Sequence, residues 1–288
     1  MKAVFKHEFS SYFTGLTGYV FAAFLLLFAG IYTMGICLSS GYANFEYVLG
    51  NMSFTFMIIV PVLTMRVISA ERKQKTDNLL YSLPLTMTDV ILGKYFAMLA
   101  VFAVPTVIIG LYPLILRSYG AVNLGTCYTA LLGYFLLGAA LIAVGMFISS
   151  LTDSQAASAG ICFGVMLVNY FLVTISGLIS VTALGTVLVC AVLAALVSVI
   201  FYLMTRNLSW TFTLFAVLLI LVMGIYILFP NSYSGLVTTV LENLSLFERF
   251  EGMLDGLLDF TTVVFFLSVA AVFVSLTIRS MDKRRWAE

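Results

Sequence analysis

Residues 126–150 read TCYTALLGYFLLGAALIAVGMFISS, 25 positions without a charged side chain. A bilayer core about 30 Å thick takes about 20 residues of helix. In lipid every backbone N–H and C=O must be paired within the protein, and a helix does this within one segment. The stretch therefore predicts a membrane-crossing helix. Working outward, seven further segments read the same way: 19–38, 52–69, 90–116, 156–178, 181–204, 209–229 and 260–278. The whole chain agrees. Of 288 residues, 62% are apolar and 9% charged, and the mean hydropathy is +1.12. Soluble domains run at about 45–50% apolar and about 25% charged. The expected fold is all-α, a single polytopic membrane domain over 1–288 with about eight transmembrane helices. Composition excludes a cytosolic enzyme, a disordered chain and a disulfide scaffold. A net charge of +1 leaves no basic surface for nucleic acid. Cys37, Cys127, Cys162 and Cys190 all lie inside apolar runs without a CxxC pair, so they read as small core side chains and no metal site is expected.

The first apolar run is longer than the about 7–15 residues of a cleaved signal, and no A-x-A site follows, so it reads as a signal anchor. Lys and Arg then set orientation. With the N-terminus in the cytoplasm, Lys2, Lys6, Arg66, Arg72, Lys73, Lys75, Lys94, Arg206, Arg279, Lys283, Arg284 and Arg285 all face inside, leaving Arg117 and Arg249 outside. An even number of spans also returns the basic DKRRW tail to the cytoplasm.

Three segments stand apart. Residues 1–18 mix Val4, Phe5, Phe9, Tyr12, Phe13 and Leu16 with Lys2, Lys6, His7 and Glu8, the pattern of an interfacial helix. Residues 230–259 are acidic, and their leucines and phenylalanines recur at near-helical spacing, predicting one or two amphipathic helices along the outer surface. Residues 70–89, AERKQKTDNLLYSLPLTMTD, are the most charged stretch. There Glu71 and Lys75, and Lys73 and Asp77, stand at i,i+4. Leu79, Leu80 and Leu83 form an apolar face, Pro84 stops the helix, and Thr86–Asp89 reads as a capping box restarting it. Helix, break and helix with exposed leucines suits docking of a soluble partner.

The membrane core holds no ionisable group in the middle third of any span, so there is no carrier for proton or ion coupling. No channel filter and no GxxxxGK[ST] phosphate loop occurs; Gly93-Lys94 is followed by Tyr95. His7 is the single histidine, and no catalytic constellation is expected. Ala156, Gly160 and Gly164 form a small-residue stripe read as a helix-packing face, and Gly133, Gly138, Ala139 and Gly145 lighten the preceding span. Pro61, Pro105 and Pro113 are expected to kink the second and third spans.

The segment ERKQKTDNLLYSLPLTMTDVILGK resembles the stretch after the second span of type 2 ABC exporter permeases, in the gliding-motility-type branch. Glu71, Arg72, Thr76, Leu79, Leu80, Pro84, Gly93 and Lys94 match that pattern; Lys75 stands where the family usually has Gly and Asn78 where it usually has Glu. FISSLTDSQAASAG, LSLFERF with Gly256, Asp259 and FFLS, and the opening FKHEFSSYFTGLTGYVFAAFLLLFAG resemble three further stretches of that family, in order. Thr262 replaces the family's second Asp before the last span. The resemblance implies a six-helix core, with 181–229 an added helix pair. It implies a coupling helix seated on a separate cytoplasmic ATPase that binds the ATP and Mg; Glu71, Arg72, Lys73, Thr76, Asp77, Leu79, Leu80, Leu83 and Pro84 would make that contact. It implies a second permease copy or homologous permease, and an accessory protein with a large external domain that often accompanies such permeases. The function so implied is export across a bacterial plasma membrane, and the lack of buried charge points to an amphipathic or bulky substrate such as a lipid, glycan or peptide. Two rival readings are a structural or signalling membrane subunit that transports nothing, and a lipid-modifying enzyme.

Overall fold

Long runs of Leu, Phe, Val and Ala without internal breakers form long helices, and turns fall where Gly, Asn, Asp and Ser cluster. A computed structural model describes residues 1–39, 41, 44–74, 86–178, 216 and 236–285. In order these residues form α1 (Lys2–Thr14), α2 (Leu16–Tyr32) continued by a π-helical stretch (Thr33–Leu38), α3 (Phe45–Met52), α4 (Phe56–Thr64), α5 (Ser69–Gln74), α6 (Met87–Ile109), α7 (Tyr112–Arg117), α8 (Leu124–Leu151), α9 (Gln155–Leu178), α10 (Leu236–Leu244), α11 (Leu246–Leu254) and α12 (Phe260–Arg285). Among the described residues there is no strand.

Six stretches are helical, long and apolar enough to cross a membrane: Leu16–Leu38, Phe45–Lys73, Met87–Arg117, Leu124–Leu151, Gln155–Thr174 and Phe260–Lys283. They coincide with six of the eight expected spans. The expected pair 181–204 and 209–229 lies outside the described residues, apart from residue 216.

The chain divides into two units, Met1–Val168 with Arg249–Glu288, and Asn169–Glu248. In the first, α8 is the central helix. The last helix α12 runs along it, α4 and α6 pack on it, and α1 and α2 pack on α6. Aromatic rings fill the centre. Phe56 stacks on Tyr134 at 4.5 Å, Phe102 lies 5.7 Å from Phe56, and Phe250 of α11 meets Tyr134 at 6.2 Å. Such pairs each add about 0.5–1.5 kcal/mol beyond area burial. Gly138 makes this closeness feasible, since a Cβ there would lie 2.5 Å from the Phe102 ring. Small residues in α8 thus serve packing within the chain, as expected.

The stripe on α9 does not pack in this way. Ala156 and Gly160 are exposed and Gly164 is half-buried, and a Cβ at either glycine would meet none of the described residues within 4 Å. The inward side of α9 carries Ser158, Cys162 and Met166 instead. Cys162 Sγ lies 3.9 Å from the Thr64 hydroxyl. Among the described residues, Ser158, Cys162 and Met166, each two positions on from the stripe, take the inner face of α9 in place of Ala156, Gly160 and Gly164.

Pro61 and Pro105 sit within α4 and α6. Pro113 falls in the first turn of α7, where no backbone N–H is required. The break in the third span comes just before it, at Gly110–Leu111. The interfacial segment read as 1–18 is a separate helix that ends at Thr14. The amphipathic reading of 230–259 resolves into α10 and α11, split at Ser245, whose hydroxyl accepts the Glu248 N–H at 3.2 Å and so caps α11. Within the second unit, the Asn169 amide donates to Leu244 O at 3.3 Å and its oxygen accepts the Leu246 N–H at 3.1 Å, pinning that split. Between α11 and α12, Gly256 takes φ +80°, a left-handed turn that disfavours residues with a Cβ.

Candidate functional site

The chemistry of the described chain concentrates at one end of the first unit, where the second span gives way to the charged segment. After Thr64 the helix unwinds for one turn, with Met65 N–H on Pro61 O at 2.9 Å and Val67 N–H on Thr64 O at 3.2 Å. The chain then restarts as α5. A new helix start leaves N–H groups without intrahelical partners. Here the Ser149 hydroxyl of α8 accepts two of them, from Ile68 at 3.3 Å and Ser69 at 3.2 Å. The Ser69 hydroxyl donates back to Met65 O.

From this clamped joint, Glu71 and Arg72 leave α5 in different directions, as adjacent helical residues must. Glu71 turns toward Lys94 of α6, whose ammonium lies 2.5 Å from Glu71 Oε1, 2.7 Å from Glu8 Oε1 of α1 and 3.2 Å from Val67 O. Lys94 is 3% exposed. Three acceptors match the three ammonium donors, so the buried cation is fully hydrogen-bonded. Arg72, 5% exposed at its side chain, sends one nitrogen to Asp153 Oδ1 in the α8–α9 turn at 3.4 Å and the other to Met281 Sδ of α12 at 3.1 Å. One dipeptide thereby joins α5 to α1, α6, the α8–α9 turn and α12.

Close by, the Tyr12 hydroxyl of α1 donates to Leu63 O at 3.3 Å. Burial, with the Glu8 carboxylate adding to it, pushes this phenol well above the usual tyrosine range. It therefore remains a hydrogen-bond donor at physiological pH. The start of α6 is also fixed: the Thr86 hydroxyl accepts the Asp89 N–H at 3.2 Å and donates to Asp89 Oδ2 at 2.7 Å, the cap expected from the sequence.

The placement of the expected coupling residues divides three ways. Glu71 and Arg72, expected to offer charge to a partner, meet groups of this chain, Glu71 on Lys94 and Arg72 on Asp153 and Met281. Lys73 is exposed and free to meet solvent or a partner. Thr76, Asp77, Leu79, Leu80, Leu83 and Pro84 lie outside the described residues, as does Lys75, the expected i,i+4 partner of Glu71. Sequence reasoning missed the roles of Glu8, Lys94, Ser149 and Asp153. The signal for Lys94 was available: a lysine this close to a long apolar run needs a buried partner. Glu8 supplied the matching anomaly on an otherwise aromatic helix.

Comparison with models of known protein families finds no match, and comparison with curated proteins finds no relative.

Proposed function

We propose that this chain is the membrane subunit of an ATP-driven transporter, exporting an amphipathic or bulky substrate with energy from a separate cytoplasmic ATPase. The observation that carries the reading is the joint at 65–74. The charged segment 70–89 emerges from a helix that Ser149, Lys94, Asp153 and Met281 tie to four other parts of the first unit. A push delivered to such a segment passes into the span-forming helices rather than dissipating in a loose loop. The resemblance of 71–94 to the coupling region of type 2 ABC exporter permeases supports the same reading, as do the three further stretches in order. In this reading α1, the joint and both termini face the cytoplasm, and the permease works as a pair with a second copy or homologue. An accessory protein with an external domain would meet the acidic segment 230–259.

The apolar face Leu79, Leu80 and Leu83 would fill a groove on the ATPase, with exposed charges such as Lys73 at the rim. Interface energy concentrates in desolvated apolar anchors. Leu80→Asp or Leu83→Asp is expected to release the ATPase, at a cost of about 2–5 kcal/mol from an unpaired charge in the contact. Lys73→Ala is expected to cost under about 1 kcal/mol. Co-purification of permease and ATPase from each variant in mild detergent decides the matter; wild-type ratios for both leucine variants would sink the proposal.

A further inference from the structure

The outer side of α1 carries a pattern that the joint does not use. Val4, Glu8 and Tyr12 face the protein: a Cβ at Gly93 of α6 would lie 3.0 Å from Val4, Glu8 reaches Lys94, and Tyr12 reaches Leu63 O. At about 3.6 residues per turn, the neighbouring side of the helix holds Lys2, Phe5, Lys6, Phe9 and Phe13 together. The phenylalanines form a ladder. Phe5 and Phe9 stand 5.9 Å apart, Phe9 and Phe13 5.0 Å, and Phe13 meets Tyr19 of α2 edge to face at 5.5 Å. Each of these phenylalanines is half-buried, and Tyr19 is 60% exposed.

Charge sorts by side as well. Glu8 turns to Lys94, and the N-terminal ammonium stands 3.7 Å from Asp89 Oδ1. Lys2 and Lys6 are exposed, and among the described residues no carboxylate pairs with either ammonium. The ladder side therefore offers unpaired cations beside a row of aromatic rings. Its far end, at Tyr19, belongs to Leu16–Leu38, a stretch long and apolar enough to cross a membrane. What lies against the start of such a span is the headgroup layer, where aromatic rings and lysines are both favoured. Rings alone take any lipid. Unpaired lysines select, because an anionic headgroup attracts them and a zwitterionic choline headgroup carries no net charge to do so.

We propose that α1 binds anionic phospholipid in the leaflet at which the first span begins, with Lys2 and Lys6 on headgroup phosphates and Phe5, Phe9 and Phe13 at the boundary of headgroup and acyl chain. An ammonium donates charge-assisted hydrogen bonds to phosphate oxygens. The proposal requires that the chain lie in a bilayer and is independent of whether it transports.

The test uses the full chain in phosphatidylcholine nanodiscs, with its native cysteines replaced and a fluorophore on a cysteine introduced by Ser10→Cys, at an exposed position one turn beyond Lys6. A trace of lipid with a nitroxide at the top of its acyl chain is supplied either as phosphatidylglycerol or as phosphatidylcholine. The ratio of the two quenching slopes reads the local enrichment of the anionic lipid. Phosphatidylglycerol is expected to quench more steeply. Lys2→Gln and Lys6→Gln should each lower the ratio about fivefold, the worth of one lysine near an anionic surface. Lys6→Arg should keep it. Raising the salt to about 1 M shortens the screening length from about 8 Å to about 3 Å and should bring the ratio close to unity. Should the glutamine variants fail to fold, the salt series on the chain with both lysines decides alone. Equal slopes with both lysines in place, a preference that survives Lys2→Gln with Lys6→Gln, or a preference indifferent to salt would each overturn the assignment. So would an absence of quenching by either lipid, which would put α1 against a protein partner instead.

Discussion

Lys94 shows how one buried charge organises several elements. Removing a single member of a buried ionic group costs about 3–5 kcal/mol, because the remaining charges lose their partner. Glu8 and Glu71 are partly exposed, so Lys94→Met is expected at the lower end, about 3 kcal/mol. Glu8→Gln leaves Lys94 paired with Glu71 and is expected to cost about 1 kcal/mol. Thermal unfolding of the purified variants in one detergent checks both. Equal losses for the two would mean that the lysine does not act as the shared centre.

At the scale of the element, two helix starts make separate predictions. Ser149→Ala deprives Ile68 and Ser69 of their acceptor in a buried setting, for an expected cost of about 1–3 kcal/mol. The loss should appear first as faster amide exchange at Ser69 and Arg72, ahead of any change in α12. The second start is that of α12. Asp259 Oδ1 accepts the Thr261 N–H at 2.9 Å and Oδ2 accepts the Thr262 hydroxyl at 3.2 Å. The bond from the Thr261 backbone, more than any other cause, holds this carboxyl below its ordinary value. A carboxyl lowered by folding adds stability in full above its unfolded value, about 3.9. That stability is lost as pH falls through the lower folded value. Slowed exchange at Val263 in wild type relative to Asp259→Ala should therefore be constant from neutral pH down to about 4 and shrink below it. A difference that fades already near pH 6 would contradict the cap.

For the whole molecule the governing expectation is orientation. The 12-to-2 division of Lys and Arg between the two sides predicts that α1, the joint and the C-terminus share the cytoplasmic side while 230–259 lies outside. In a variant with the native cysteines replaced, a cysteine placed at Ser234 should react with an impermeant reagent added from outside. Labelling from the cytoplasmic side alone would reverse the topology and with it the docking role of segment 70–89.

What the sequence determined by itself follows from solvent and backbone chemistry. Long apolar runs dictate helices long and apolar enough to cross a membrane, and six of the eight inferred spans are such helices in the structure at nearly the inferred positions. Local patterns were equally legible. Thr86 caps α6 as its spacing to Asp89 implied, and residues 236–254 form amphipathic helices as their periodicity implied. Partners distant in the chain were not legible. No local spacing links Glu71 to Lys94 or to Glu8, far away in sequence but adjacent once α1, α5 and α6 meet. The α9 stripe of Ala156, Gly160 and Gly164 and the α8 glycines look alike as strings. Only the packing tells them apart, because Phe102 and Phe56 crowd Gly138 and none of the described residues approaches Gly160. Periodicity and hydropathy are properties of a segment, so sequence carries them. Which buried charge meets which is a property of how helices cross, and that is decided only when the tertiary structure forms.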